Sequence, residues 1–322
     1  MRAVVSFLAL ASALVAALPL HAQQSPARAI RVFIPFTAGS AADIIARALE
    51  PQMREKLGQS LIIDNRGGAG GNIAAELTAK SAPDGYSVMM GTVGTHAINL
   101  ALYSKLPYHP QRDFTPVALV GENPNILVIN PYVPAKSIKE LIALGKAKPG
   151  QLNYGSSGSG TTVHLSGELF ATMAGIKMVH VPYKGASESL TALLGGQLDL
   201  MFASLSSSIP LVKAGRLRAF AVTGEKRSPS IPEMPTMAEA ALPGYAATAW
   251  FGLLGPAGMP SAAVTTLSNA ALAALQTQEV KDRLFASGVE VRSMPPAEFA
   301  QLIDSEIKKW AQVVKASGAK VD

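Results

Sequence analysis

Three short stretches offer nearly bare backbone interleaved with hydroxyls: PFTAGSAAD (Pro35 to Asp43), GTVGTH (Gly91 to His96) and YGSSGSGTTVH (Tyr154 to His164). Each is expected to sit between a strand and a helix. Small side chains let a ligand approach the main chain. The first amides of a helix lack intrahelical acceptors and point outward, and the helix dipole adds to their attraction for an anion. Ser40, Thr92, Thr95, Ser156, Ser157, Ser159, Thr161 and Thr162 add hydroxyl donors. None of these stretches contains Lys or Arg, so the chemistry on offer is capture of a carboxylate by neutral donors. Taken singly, each stretch is more simply a turn or a cap; three in one chain make a binding site an equal reading.

Catalytic and metal chemistry find little support. GSSGSG does not fit GxSxG, because the fifth position counted from Gly155 is Ser159. NRGGAGGN (Asn65 to Asn72) fits no GxGxxG, and no GxxxxGK[ST] occurs, so those glycines are read as backbone geometry. Beyond the N-terminal leader the histidines are His96, His109, His164 and His180; none has a metal-ligand spacing, and the chain has no cysteine. His164, one turn into a helix beside the bare loop, reads as a core or capping histidine or as a ligand contact. Asp43 and Arg47 are spaced i,i+4 and read as a structural pair, with Asp43 also a candidate loop brace. Asp199 either braces a loop or faces a cleft. Met89, Met90, Met173 and Met178 read as core. No catalytic residue, metal site or cofactor is expected.

The elements that position these loops alternate along the chain. IRVFIP (Ile30 to Pro35) is a buried-strand signal, followed by a helical pattern over Ala41 to Leu57 closed by Gly58. Pro51 is expected to kink or break that helix. Further strands are expected at Ser60 to Asp64, Tyr86 to Met90, Met178 to Val181, Leu198 to Ala203, Leu217 to Val222 and Thr248 to Leu254. Helices are expected near Asn72 to Lys80, from a capping box at Ser137 to about Ala147, and over Ala186 to Leu194, Ser206 to Ala214, Ser261 to Leu275 and Pro296 to Ala316. Repeated βα units predict an α/β fold with parallel or mixed sheets covered by helices. Asn123-Pro124-Asn125 and the Pro-rich run Ser228 to Pro235 bracket a middle block. The expected division is therefore a first domain of residues 23–123 and 248–322 and an inserted second domain of residues 124–247. Ligands in such folds bind at the carboxyl ends of strands, which here places the site between the domains.

Length and composition agree. At 322 residues, 48% hydrophobic and 16% charged, the chain is globular and long enough for about two domains. The net charge of +6 comes from scattered Lys and Arg, with no basic block or aromatic interleaving, which argues against a nucleic-acid partner. MRAVVSFLALASALVAALPLHAQQ has one early Arg, an apolar run of about 16 residues and a small residue at Ala22. The run is short of the ~20 residues of a spanning helix. Residues 1–22 therefore read as an export signal cleaved near Ala22, and the mature protein as periplasmic. A two-domain chain of this size needs no disulfides to bury a core.

The motifs in order carry more than any one alone. IRVFIPFTAGSAADIIAR, IIDNRGGAGGNIAAELTAKSAPDGYSVMMGT, LNYGSSGSGTTVHLSGELF, HVPYKGASESLTALLGGQLDLMF, AGRLRAFAVT and PTMAEAALPGYAATAWFGLLGPAGMP together resemble the solute-binding proteins of tripartite tricarboxylate transporters, the Bug family. The resemblance runs from about Ile30 to the C-terminal helices. It implies a two-lobed type II periplasmic binding protein, monomeric and not an enzyme. Such a protein closes on a small organic carboxylate and delivers it to a membrane permease of one large and one small subunit. It further implies that one ligand carboxylate lies between two loops, held by backbone amides and ordered water. That assigns Phe36, Thr37, Ala38, Gly39, Ser40 and Asp43 to one wall and Ser156, Ser157, Gly158, Ser159, Gly160, Thr161 and Thr162 to the other, with His164 beside it. Thr92 and His96 fall in the third loop, and Tyr183, Lys184 and Asp199 near the cleft. Where the family usually has AGG, this chain has Ala38-Gly39-Ser40, so Ser40 either narrows the pocket or adds a donor.

Two other readings stand beside this one: a binding protein that reports its ligand to a membrane receptor, and an exported hydrolase using His164 with a loop serine. The ligand class stays open among tricarboxylates, dicarboxylates, acidic amino acids, nicotinate-like acids and aromatic dicarboxylates.

Overall fold

The computed structural model describes residues 28–183 and 186–321; residues 1–22, read above as an export signal, and Lys184 lie outside them. Strand β1 (Ile30–Ile34) pairs in parallel with β2 (Leu61–Asn65) and with β3 (Ser87–Thr92), and β3 pairs antiparallel with β9 (Thr248–Pro256). The long strand β4 (Phe114–Ile129) joins two sheets. From Phe114 to Pro124 it runs antiparallel to β9. From Asn125 onward it pairs with β7 (Leu200–Ser204) and β8 (Arg218–Val222). Strand β7 continues through β5 (Leu152–Ser156) to β6 (Met178–Pro182), both pairings parallel. The order is β2-β1-β3-β9-β4-β7-β5-β6, with β8 on β4. The fold is α/β and two-lobed, with mixed sheets.

Asn123-Pro124-Asn125, expected as a break, lies inside β4. Pro124 has no amide to give a ladder, and β4 changes partners at the next residue, whose N–H goes to Thr223 Oγ1 at 2.9 Å.

The helices are α1 (Ala41–Leu57), α2 (Asn72–Ala79), α3 (Asn99–Leu102), α4 (Ile138–Ala147), α5 (Thr162–Ala174), α6 (Ala186–Leu194), α7 (Leu205–Lys213), α8 (Met237–Ala240), α9 (Ser261–Ala274), α10 (Gln278–Ala286) and α11 (Pro296–Ser317). Helix α1 lays Ile45, Ala48, Leu49 and Met53 onto Ile30, Val32 and Ile34, with Leu267 and Ala271 of α9 closing the layer. Each such aliphatic side chain taken out of water contributes about 1.5–3 kcal/mol before entropy is counted. In the other lobe, Leu165, Leu169 and Phe170 of α5 pack with Tyr154 and Phe202. Helix α11 leans on both lobes, against β4 and α5. Its Glu306 Oε2 accepts the indole N–H groups of Trp310 at 2.8 Å and Trp250 at 3.3 Å.

Three local expectations change. Helix α1 runs unbroken through Pro51. The carbonyl that a residue-51 amide would have taken, that of Arg47, is taken instead by Arg283 Nη1 at 3.3 Å. The box at Ser137 is half formed: Ser137 Oγ accepts the Glu140 N–H, but Glu140 Oε2 accepts from Lys136 N. A complete box opens α8, where Thr236 and Glu239 exchange both bonds. Met89 and Met90 are core, whereas Met173 is exposed.

Candidate binding site

A cavity of about 530 Å³ opens between the lobes. One wall is Phe36, Ser40, Ala41 and Ala42 at the start of α1, and the facing wall is Ser157 and Ser159 to Val163 at the start of α5. Thr92, Val93 and Gly94 at the end of β3, Asn123 and Asn125 of β4, and Ser204 at the end of β7 also line it. No charged side chain lies among the described lining residues.

At the first wall, the sequence builds a helix start that faces inward. Ser40 caps α1, its Oγ accepting the Asp43 N–H at 3.4 Å. Asp43 is buried, and its carboxylate accepts from Gly39 N at 2.9 Å, Arg47 Nε at 3.0 Å and Asn65 Nδ2 at 3.1 Å. Asn65 Nδ2 also donates to the Phe36 carbonyl at 3.0 Å. Burial alone would raise the Asp43 pKa; the bonds from Arg47, Gly39 and Asn65 outweigh it and hold the carboxyl below its ordinary value. The loop is thus braced from behind, and the amides of Ala41 and Ala42, without an acceptor one turn back, border the cavity.

The second wall is built the same way. Thr161 caps α5: Oγ1 accepts the His164 N–H at 3.3 Å and donates to the Gly158 carbonyl at 2.7 Å. The Gly158 N–H goes to Ser156 Oγ at 3.1 Å, and the Gly160 N–H to His164 Nδ1 at 3.0 Å. These two glycine amides therefore hold the loop itself. The groups facing the cavity are the first amides of α5, at Thr162 and Val163, and the loop hydroxyls. Gly158 (φ 127°) and Gly160 (φ 80°) occupy backbone conformations that favour glycine, and a Cβ on Gly160 would stand 2.3 Å from Leu102 Cδ2 of the other lobe.

Beneath this loop lies a polar aromatic stack. His164 and His180 stack with ring centroids 3.8 Å apart. Ser156 Oγ is 2.6 Å from His180 Nε2, and Glu168 receives the Tyr154 hydroxyl. Burial first, and the neighbouring His164 second, pull the His180 pKa down to about 4. Burial would raise Glu168, but His164 and Tyr154 outweigh it and lower its pKa. The Tyr154 phenol is pushed well above its ordinary value by burial and by the Glu168 charge.

Among the expected site residues, Phe36, Ser40, Thr92, Ser157, Ser159, Gly160, Thr161 and Thr162 line the cavity. Thr37, Ala38 and Gly39 lie on the exposed side of the same loop. Asp43, Ser156, Gly158 and His164 stand behind the walls as braces. Tyr183 donates its N–H to the Ser156 carbonyl at 3.1 Å and borders a separate shallow pocket with Ser187.

Two assignments are corrected. His96 does not face the cleft: GTVGTH winds into a π-helical turn over Gly94–Ile98, which carries the ring wholly into the core, edge-on to Phe114 at 4.5 Å. Its Nδ1 is 2.8 Å from Thr95 Oγ1, and burial pulls its pKa down to about 3, so it stays neutral. Asp199 precedes β7, whose far end, Ser204, reaches the cavity. It braces the sheet instead, accepting from Asn153 N at 2.7 Å and from the Tyr132 hydroxyl at 3.2 Å.

The residues unforeseen in the sequence include Asn123, Asn125, Ser204, Phe251, Gly70 and Asn99. Ser204 could have been found as the end of the strand in LMFAS. Asn99 carries no local signal; its Nδ2 ties the β2–α2 connection by donating to Asn72 Oδ1 at 2.6 Å and to the Gly70 carbonyl at 3.1 Å.

A larger cavity, about 730 Å³, lies on the other side of β4. Glu122 borders it while Asn123 borders the first, as successive strand residues point to opposite faces. Its wall carries Glu122, Glu225, Asp282 and Glu290, and its Arg292 already bridges Glu122 at 2.8 Å and Glu225 at 3.4 Å. Lys226, Arg227 and Lys281 line it as well, so its acids and bases are matched in number; the neutral cavity, where two helix N-termini face each other, is the candidate site.

Comparison with known proteins agrees with this geometry. The model of the tripartite tricarboxylate transporter family receptor matches residues 45–319. Protein BugT of Bordetella pertussis is 35% identical over 306 residues, covering 95% of this chain and 94% of that protein. A protein of R. palustris solved with adipate is 39% identical, with a TM-score of 0.78 over 92% of this chain and 100% of the other. MatC from Rhodopseudomonas palustris, solved with bound malate, is 36% identical, with a TM-score of 0.74 over 90% of this chain and 99% of the other. The chain therefore belongs to the tripartite tricarboxylate transporter receptor family, whose members are solute-binding proteins and not enzymes.

Proposed function

We propose that the protein captures a small organic carboxylate between its lobes in the periplasm and delivers it to a membrane permease of one large and one small subunit. The observation that carries this reading is the meeting of two helix N-termini, α1 and α5, across one cavity whose described walls hold no charged side chain. Their first amides (Ala41 and Ala42; Thr162 and Val163) and the hydroxyls of Ser40, Ser157 and Ser159 are the donors. Phe36, Ile98, Leu102 and Phe251 give the ligand body an apolar seat. The malate and adipate held by two relatives suit such a seat.

Residues 23–123 with 248–322 form one lobe and 124–247 the other. They turn about the crossings at Pro124–Asn125 and at Ala247–Thr248, where the Ala247 N–H bonds the Thr223 carbonyl at 2.9 Å. Closure removes water from the carboxylate and strengthens its hydrogen bonds. None of the described helices is long and apolar enough to cross a membrane. The export signal read at residues 1–22 places the mature protein, from Gln23 onward, in the periplasm, where we take it to act as a monomer.

A thermal-shift screen of that mature protein tests the reading, using malate, adipate, citrate, succinate, glutamate, nicotinate and terephthalate. An acid at 100 times its Kd adds about 2.7 kcal/mol and raises the unfolding midpoint. No shift with any acid, together with no organic acid released on denaturing the purified protein, would refute it.

A further inference from the structure

The stack beneath the second wall is not explained by binding alone, because none of its rings lines the cavity. Its hydrogen bonds nevertheless end on that wall. The Gly160 N–H points at His164 Nδ1, so this nitrogen must present a lone pair. The neutral imidazole then carries its proton on Nε2, which faces Glu168 Oε1 at 3.6 Å. Glu168 is itself fixed by the Tyr154 hydroxyl. The other loop amide is held one step further out: Gly158 N–H donates to Ser156 Oγ, and Ser156 Oγ pairs with His180 Nε2. Two stacked imidazoles thus govern the two glycines that shape the wall.

We propose that His164, set by Glu168, is the positioning residue of the binding loop, and that a proton on its Nδ1 releases Gly160 and weakens ligand capture. Resting on the carboxylate-binding reading for its consequence, the proposal stands on the loop geometry for its cause. A protonated Nδ1 would place two donors against each other, and the Gly160 amide would have to turn away. The loop cannot relax inward, because Gly160 already touches Leu102 of the facing lobe. The groups facing His164 are Glu168 on its own helix, which favours the proton, His180 of β6, whose stacked ring opposes a charge, and Tyr154 of β5, a neutral donor to Glu168.

The experiment follows imidazole and amide nitrogens by NMR in the ligand-free protein between pH 5 and 8, in wild type, His164→Asn and His164→Leu. The Asn side-chain oxygen falls near the position of Nδ1 and does not titrate. In wild type we expect an Nε2–H tautomer with a protected Gly160 amide, and an exposed Gly160 amide wherever the spectra show Nδ1 protonated. His164→Asn keeps the protection throughout, and His164→Leu lacks it throughout. With malate and adipate as probes, the wild-type Kd rises roughly tenfold more across that interval than the His164→Asn Kd, about the worth of one buried hydrogen bond. The Asn variant corrects for protonation of the acids themselves. An Nδ1–H tautomer at pH 7.5, or Gly160 exchange that ignores both pH and His164→Leu, would overturn the proposal. If the amide pattern holds and neither acid binds wild type, the positioning role stands and those two acids drop out as ligands. Glu168→Gln, whose amide oxygen can still accept from the Tyr154 hydroxyl and face Nε2–H, is expected to keep Gly160 protected at high pH.

Discussion

At the scale of the residue, the proposed site offers backbone amides, and these can be removed singly. Ala41 and Thr162 are the first residues of α1 and α5. Proline is tolerated at that position because its missing N–H has no intrahelical partner. The preceding Ser40 (ψ 159°) and Thr161 (ψ 159°) already have the extended backbone that proline requires. Ala41→Pro and Thr162→Pro are therefore expected to keep the unfolding midpoint within a few degrees and to weaken ligand binding roughly tenfold each, measured by calorimetric titration. Asp43 makes a different prediction. Its folded pKa lies below the ordinary 3.8, so its contribution is fully present above that value and is lost as pH falls through the lowered one. Asp43→Asn should be less stable than wild type at pH 7, and the gap should narrow as pH falls below about 4 in denaturant titrations. A gap that persists at pH 2 would assign the loss to packing rather than charge.

At the scale of the element, a cap at the cleft does two jobs and a cap elsewhere does one. Thr161 and Ser137 cap α5 and α4 by the same bond to the third residue onward. Replacing either by Ala is expected to cost about 1 kcal/mol of stability. Thr161 also holds the Gly158 carbonyl, so Thr161→Ala should additionally weaken ligand binding, while Ser137→Ala should leave it unchanged. Equal affinities in the two variants would remove the cap from the binding site. The same scale shows where local signals were legible. Alternating strand and helix patterns marked α6 and α1 because their apolar faces repeat regularly. Strand β4 was hidden by Asn123-Pro124-Asn125, which read as the edge of a middle block, yet a proline is tolerated where a strand changes partners.

At the scale of the whole molecule, the lobes are tied on both sides of β4. In front, Gly160 meets Leu102 across the ligand cavity; behind, Arg292 joins Glu122 of β4 to Glu225 beyond β8. The Glu225 side chain is 59% exposed, so Glu225→Gln should change stability by less than about 1 kcal/mol. Because the pair spans the lobes, the same substitution should shift the scattering radius of the ligand-free protein slightly and change the ligand Kd by a few-fold, most at low salt. Unchanged scattering and affinity would show that the bridge plays no part in setting the lobe angle.

The sequence by itself determined the family, the α/β alternation, the three bare loops and the absence of charged donors within them. These depend on residue order and on side-chain size, which local reading captures. Tertiary structure alone decided which amides are free. Gly158 and Gly160 are bare because their conformation demands it, and their amides are spent on Ser156 and His164. It also turned His96 into the core and set Asp199 at the wrong end of its strand for the cleft. It brought His180, 24 residues from Ser156, against that hydroxyl. A hydrogen-bond partner is fixed by where the sheets place it, and no spacing along the chain reveals that.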